Sequence, residues 1–401
     1  MNTIFTSAQA TPFIQTPLWQ DILQQLREDA ERRRQQGGAA PFASVAILKA
    51  QHIGALRIPQ HLGGYGLSIE ELFEVLIQIS AIDSDLTQIL RSHFQFVEDV
   101  LRSTDTHFQD VWLKKVAEGA LIGNAFTELN KITVGSGEYQ TRIHEDQEGW
   151  HLNGEKFFTT GTLYADYVSV RVGSEQSRAY NVVIPKQRTG VTVVDDWDGI
   201  GQRYTASGTT RFDNVTVYPE EIIPVAKEQV SFKPFTQLYL HAIIAGILKA
   251  VEHDAAQALK QRGRSFSFAN SSEAHQDPIF LEKIGEISAA AFVAEAAVLR
   301  AAAKQDLAFA STQNGVTDFE LSHAAAQAAT QAKIAIEPLA LKAATQIFDV
   351  VGASATRRSL DLDRHWRNIR TLASHNPASL KAVALGKRLV HGEHLPNNVY
   401  F

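Results

Sequence analysis

The chemistry open to this 401-residue chain is bounded first by what it lacks, since it contains no cysteine. Disulfides, thiolate metal sites and cysteine nucleophiles are excluded together. A serine nucleophile calls for a G-x-S-x-G elbow or a close equivalent, and none is present. No H-E-x-x-H or compact carboxylate array is found, and His391-Gly392-Glu393-His394 reads as surface imidazoles at a helix end, not as a metal site. No strand runs into G-x-G-x-x-G or G-x-x-x-x-G-K-[ST], so neither dinucleotide nor P-loop chemistry is indicated. Gly63-Gly64-Tyr65-Gly66 precedes a helix without a preceding strand and reads as a turn. A cationic cluster stands near the end: Arg357, Arg358, Arg364, Arg367, Arg370, Lys381, Lys387 and Arg388 against Asp361, Asp363 and Glu393. It reads either as a grip for a local anion such as phosphate or as a solvated helix face. The arrangement that stands out joins Gly123-Asn124-Ala125-Phe126-Thr127-Glu128, Asn153 through Gly161 (NGEKFFTTG), and Asp363-Arg364-His365-Trp366-Arg367-Asn368-Ile369-Arg370.

The elements that must carry these segments change character twice along the chain. Leu18 to about Gln36, Ala39 to Ala55, Ser68 through Arg102 and Thr106 to Glu118 have helical patterns, the third opened by a capping-box spacing at Ser68 and Glu71. Near Leu121 the period becomes that of short β-branched and aromatic strands, at residues 151–158, 167–172, 180–184, 191–194 and 211–217. Helical stretches return at Thr236 to Arg262, Ile279 to Ser311, Asp318 to Phe348 and Pro377 to His391, Ala-rich enough for close packing. The pattern predicts an α+β multidomain chain: helical residues 1–120, an antiparallel barrel or sandwich at 121–228 and a helical bundle at 229–401. With 44% hydrophobic and 20% charged residues the chain is of the globular type, and no apolar run approaches a membrane span. A net charge of -6 disfavours general affinity for nucleic acid or anionic membrane. The N-terminus lacks a basic region followed by an apolar one, so no secretion signal is read and the cytoplasm is the expected location.

The three segments resemble the acyl-CoA dehydrogenase superfamily. Its middle barrel carries a T-E turn and an N-G-x-K-x-[WF]-[IT]-[TS] strand that together hold a flavin, and its last helices carry R-[DN]-x-R. The loop from Ile58-Pro59 to Gly66 and the ending Phe212-Asp213-Asn214-Val215-Thr216-Val217 also match, so the resemblance covers nearly the whole chain. It implies an N-terminal helical domain, a middle barrel and a C-terminal four-helix bundle, with the flavin between barrel and bundle. Backbone of Phe126 and Thr127 is expected at the pyrimidine end of the ring, and the Thr160 hydroxyl beside N5. Phe158, Thr159 and Ser207 belong to the same implied cradle.

Departures from the family pattern set the subtype. A dehydrogenase needs a carboxylate to remove the α-proton of a thioester. At the two family positions this chain has Asn376 and Thr236-Gln237. The family's Q-x-x-G-G-x-G, which receives the adenosine half of FAD, here reads Gln346-Ile347-Phe348-Asp349-Val350-Val351-Gly352. Side chains replace the double glycine and would obstruct close backbone approach. The shorter FMN is therefore expected, its phosphate held by Arg264 and the C-terminal cluster, with Gly352, Arg370 and Asn376 also at the cofactor. Where related monooxygenases often carry Arg, this chain has Ser354, with Arg357 and Arg358 nearby.

His93 and His375 resemble histidines of the flavin-dependent monooxygenases of this fold, the dibenzothiophene monooxygenases and sulfur-acquisition oxidoreductases. The segment from Asp196-Trp197 to Gly208 and the run Trp366 to Pro377 share that resemblance. It implies a two-component monooxygenase that takes reduced FMN from a separate flavin reductase and reacts with O2 through a C4a-hydroperoxide. A small organosulfur substrate is then oxygenated. Asn124 and Trp197 would fix and cover the ring, His375 would deliver a proton, and His93 would close the pocket from the opposite wall. A homo-oligomer, tetramer or dimer, is implied as well. The alternatives are an FAD-dependent acyl-CoA dehydrogenase, a flavin-fold DNA-binding protein and a non-catalytic flavin carrier.

Overall fold

The computed structural model describes residues 12–129, 139–174, 179–225, 231–398 and 400–401. Residues 1–11, on which the reading of the N-terminus rests, and the expected boundary at 228 lie outside them. The N-terminal helices are α1 (Pro17–Gln35), α2 (Phe42–Ala50), α3 (Ile69–Ile82), α4 (Ser84–Leu101) and α5 (Thr106–Ala117). The expected capping box forms at α3, with Glu71 N–H donating to Ser68 Oγ and Ser68 N–H to the Glu71 carboxylate. The helical stretch from Ser68 to Arg102 is two helices. Asp83 is extended, at φ -152°, and its carboxylate caps α4 by accepting from Asp85 N–H at 2.9 Å. The stretch Ala39 to Ala55 is likewise shorter as a helix, because the chain turns through left-handed His52, at φ 49°, before a single 3-10 turn at Ile53–Ala55.

The strands are β1 (Ile122–Ala125), β2 (Arg142–Asp146), β3 (Gly149–Lys156), β4 (Tyr167–Ser174), β5 (Ala179–Pro185), β6 (Val191–Val194), β7 (Thr209–Val217) and β8 (Ile222–Pro224). Their hydrogen-bonded order is β6-β7-β3-β2-β4-β5-β8, with β1 parallel on β4. The expected closed antiparallel barrel is corrected by this order. Among the described residues the sheet is open, with β6 and β8 at its ends, and β2 meets β4 in a short parallel register. Alternate inward residues, among them Leu152, Val168, Val170, Val182, Phe212 and Val215, make its own core.

The chain continues as α6 (Phe235–Lys260), α7 (Pro278–Ala310), α8 (Phe319–Val351), α9 (Asp363–Ala373) and α10 (Ala378–His391). Helices α6, α7 and α8 pack on one another, α10 lies against α8, and α3 packs on both α6 and α7. One apolar core therefore runs from Trp19 and Phe73 through Tyr239 and Ile243 to Ile336 and Leu372, shared by the first and last parts of the chain. Among the described residues no helix is long and apolar enough to cross a membrane.

Candidate active site

The turn after β1 is pinned by a buried ion pair. Lys156 Nζ, at the end of β3, lies 2.7 Å from Glu128, whose carboxylate also accepts from Gln140 N–H and Thr141 N–H. Burial lowers the Lys156 pKa to about 8 and Glu128 opposes that shift, keeping the ammonium charged at neutral pH. The Thr127 carbonyl accepts from Phe157 N–H at 2.9 Å, and the Phe126 carbonyl from Lys156 Nζ at 3.3 Å. Both carbonyls are thus engaged within the β unit. The lysine and glutamate of the two sequence segments hold the shape of the turn.

Beyond Lys156 the chain enters a strained corner. Phe158 has φ +55°, unusual for a bulky residue, and its ring is 47% exposed. The ring meets Trp197 edge-on, with centroids 6.0 Å apart at 87°. Trp197 is itself fixed, its indole N–H shared between the carbonyls of Gly201 and Gln202. Thr159 faces the interior: its hydroxyl donates to Gly208 O and accepts from Thr210, and the residue has no exposed surface. Expected at the flavin, Thr159 spends its hydroxyl within the β unit, next to Thr160. Gly161, at φ +80°, completes the corner, and a Cβ there would stand 2.3 Å from Ile89 O.

Thr160 ends a chain of hydroxyls. Its Oγ1 lies 2.6 Å from Ser207 Oγ, which lies 2.7 Å from Thr205 Oγ1, which donates to Gln202 O at 2.8 Å. Each hydroxyl carries one proton, so the direction propagates: Thr205 gives its proton to Gln202, Ser207 to Thr205, and Thr160 to Ser207. Thr160 Oγ1 is left with a lone pair to offer. Close by in sequence on the same wall, the Asn124 carbonyl accepts from Thr162, while its buried side-chain Oδ1 has no partner.

Helix α4 separates this wall from the helical side, and it does so with two stripes at four-residue spacing. Asp85, Ile89 and His93 face the β unit: Tyr204 N–H donates to Asp85, Ile89 O abuts Gly161, and Ile122 N–H donates to His93 Nδ1 at 3.2 Å. His93 Nε2 in turn donates to Gly54 O at 2.9 Å. With 1% exposure and both ring nitrogens on backbone, His93 is held neutral, burial lowering its pKa to about 4. Expected at the wall of a substrate pocket, His93 is turned into the protein by the rotation of α4 and ties the Ile53–Ala55 turn to β1. The other stripe, Thr87, Arg91 and Gln95, faces α6. Tyr239 donates to Thr87 O, and Thr236 donates to the Gln95 side chain.

On the helical side, His375 and Asn376 occupy the turn between α9 and α10. Asn376 Nδ2 donates to Gln237 Oε1 at 2.8 Å, and its Oδ1 is buried without a partner. His375 retains an exposed surface, yet protein surrounds it closely. Desolvation, followed by the charges of Arg91 and Lys333, holds its pKa well below the ordinary imidazole value, so it is neutral at physiological pH. A group absent from the sequence reading lies alongside: Glu337 bridges Lys333 and His241, all three buried. The sequence signal was available, since Lys333 and Glu337 are charged and one turn apart in an otherwise Ala-rich helix.

The residues expected at the phosphate form a separate group. Arg264 is exposed and, with Gly352, adjoins Arg262, which donates to Val350 O at 2.5 Å and to Arg264 O at 3.3 Å. No hydrogen bond among the described residues links this group to Thr160. Much of the C-terminal cationic cluster is internally paired, Arg364 with Asp254 and Arg367 with Asp361 and Asp363. Arg370 is exposed and without an ion pair among the described residues. A separate groove of about 460 Å³ beside α2 is lined by Lys49 and Asp166, which satisfy each other at 2.7 Å.

Comparison with known proteins follows the same division. Residues 124–215 match the acyl-CoA dehydrogenase middle domain and residues 238–379 the acyl-CoA dehydrogenase C-terminal domain, together more than half of the chain. A probable FMNH2-dependent monooxygenase, SfnC, of Pseudomonas putida is 29% identical, with 92% of each chain covered. A dibenzothiophene monooxygenase of Mycolicibacterium goodii is also 29% identical, with 89% of each covered. Among solved structures, methanesulfinate monooxygenase MsuC from Pseudomonas fluorescens superposes with a TM-score of 0.85 at 28% identity, covering 96% of this chain and all of that one. FMN-bound TdsC from Paenibacillus sp. A11-2 gives 0.84 at 26% identity, over 95% and 99%. The chain belongs to the acyl-CoA dehydrogenase superfamily, in its flavin-dependent monooxygenase branch.

Proposed function

We propose that this chain is the oxygenase of a two-component system, taking reduced FMN from a flavin reductase and using O2 to oxygenate a small organosulfur compound. The observation that carries the reading is Asn376. Where a dehydrogenase needs a base there is an amide bonded to another amide, Gln237. The nearby carboxylate, Glu337, is engaged by Lys333 and His241, and these contacts lower its pKa. The FMN-bound relative and the FMNH2-dependent name of another support the cofactor.

The residues present fit an isoalloxazine. Asn124 has an unsatisfied buried oxygen, Trp197 is a locked aromatic face beside the exposed ring of Phe158, and Thr160 offers a lone pair. A lone pair suits the N5–H of reduced flavin better than the bare N5 of oxidised flavin, as expected of a chain that receives its cofactor already reduced. Bound FMNH2 would supply two electrons, so that one atom of O2 passes to sulfur and the other leaves as water. His375, neutral and accessible, holds and moves the proton this requires, while Trp197 and Phe158 exclude water. Arg264, Gly352 and Arg370 are assigned to the phosphate.

The three units at 1–120, 121–228 and 229–401, a bundle-like C-terminal unit and a cytoplasmic location complete the reading. A homo-oligomer is supported by exposed apolar side chains on α7 and α10, Phe292 at 72%, Leu389 at 81% and Val390 at 75%. The test supplies reduced FMN and O2 with sulfides, sulfones and sulfinates. Oxygenated product is expected; H2O2 alone, or anaerobic bleaching of bound FAD by an acyl-CoA, overturns the reading.

A further inference from the structure

We propose that Arg91 anchors an anionic substrate, so that the sulfur compound this chain takes carries its own oxyanion, as a sulfinate does, and is not a neutral aromatic sulfide. The inference rests on the oxygenase reading and narrows its substrate class. Arg91 is only 9% exposed, on the stripe of α4 that faces α6. Its Nε is buried without a partner, and none of its nitrogens has a hydrogen bond or ion pair among the described residues. An isolated buried charge is costly, and natural chains retain one where something supplies the opposite charge. The guanidinium stays protonated at neutral pH, its pKa lowered by burial only to about 10.

Among the described residues no carboxylate pairs with Arg91. Lys333 already occupies Glu337, Lys381 donates to Tyr400 O, and the charges acting on neighbouring His375 include those of Arg91, Lys333 and Lys381. Two further buried atoms lack partners, Gln88 Oε1 on α4 three residues before Arg91 and Asn376 Oδ1 in the turn beside His375. Neutral His375 and cationic Arg91 are close enough for the charge of one to depress the protonation of the other. A planar guanidinium fork matches the two oxygens of a sulfinate and leaves the sulfur lone pair free. A neutral sulfide would leave Arg91 unpaired and desolvated, which is discrimination by an unsatisfied partner.

The test compares the unaltered chain with Arg91→Met and Arg91→Lys. Calorimetric titration of the flavin-free protein with methanesulfinate is expected to show binding that weakens about 100-fold in R91M and less in R91K. Affinity for reduced FMN should be unchanged, and the Tm of R91M raised by removal of the unpaired charge. In turnover with a reductase, methanesulfinate should be preferred over dimethyl sulfone and dibenzothiophene, and R91M should lose that preference. Equal methanesulfinate affinity in R91M, or preferred oxygenation of dibenzothiophene by the unaltered chain, overturns the proposal and leaves the oxygenase reading standing. If no sulfur compound is oxygenated the oxygenase reading falls, and the titration still decides whether Arg91 binds the anion.

Discussion

The two walls that meet at α4 differ in the kind of group they leave without a partner: on the β side acceptor oxygens such as Asn124 Oδ1 and Gln202 Oε1, on the helical side the Arg91 cation as well. On the β side the hydroxyls of Thr160, Ser207 and Thr205 form one directed chain, and Lys156 and Glu128 neutralise each other. On the helical side Arg91 and Asn376 Oδ1 are buried without partners, and His375 is exposed among cations. A wall whose charges are paired among themselves suits a flat cofactor whose position has to be reproducible. A wall that keeps an unpaired cation stores binding capacity for a ligand that brings its own charge.

The comparison can be broken most severely at His375. His375→Ala should lower the rate of oxygenated product by about 100-fold, with H2O2 rising and reduced-FMN affinity unchanged; an unchanged product yield would remove the proton-moving role from the helical wall. Next in size is an effect on stability from His93. Its folded pKa, about 4, is depressed below the ordinary 6.5. The stabilising contribution is complete above pH 6.5 and is lost as pH falls, because the unfolded chain takes up a proton that the folded chain refuses. The expected loss by pH 5 is about 2 kcal/mol, and it should be missing from the pH dependence of urea unfolding in His93→Gln. An identical slope in both proteins would mean that the ring titrates freely.

Thr160→Val should weaken reduced FMN about tenfold with little change for oxidised FMN, measured by anaerobic titration. Ser207→Ala is the finest test. It frees the Thr160 proton to point outward, so the preference for reduced over oxidised FMN should shrink about threefold while total affinity falls little. A preference that grows would reverse the deduced direction of the hydroxyl chain.

Much of the layout was legible because long amphipathic patterns and β-branched runs carry strong periodic signals, and the motif residues fall in order along the chain. The openness of the sheet was not, since closure depends on short strands with little propensity of their own. β1 contains Gly123-Asn124 and β2 reads Arg-Ile-His-Glu-Asp. At the site, sequence reading selected His93 for its residue type, but the stripe of α4 on which it lies depends on where Asp83 breaks the helix. The same break assigns Arg91 to the α6 side. Its isolation between Leu90 and Ser92 was visible, but its lack of a partner is a property of the packed chain. Thr159 and Thr160 are buried neighbours of one type, and only the packed corner after Phe158 separates the hydroxyl spent on Gly208 and Thr210 from the one that ends the chain through Ser207.

One helix with two working faces has a consequence for how such a chain can change over generations. Residues 85, 89 and 93 alternate along α4 with 87, 91 and 95, so the two sets are interleaved in sequence but nearly opposite in space. Substitutions at Gln88, Arg91 or Gln95 can retune what is oxidised while the contacts of Asp85, Ile89 and His93 stay as they are. Descendants can thus explore charged and neutral sulfur sources without first losing the cofactor's support.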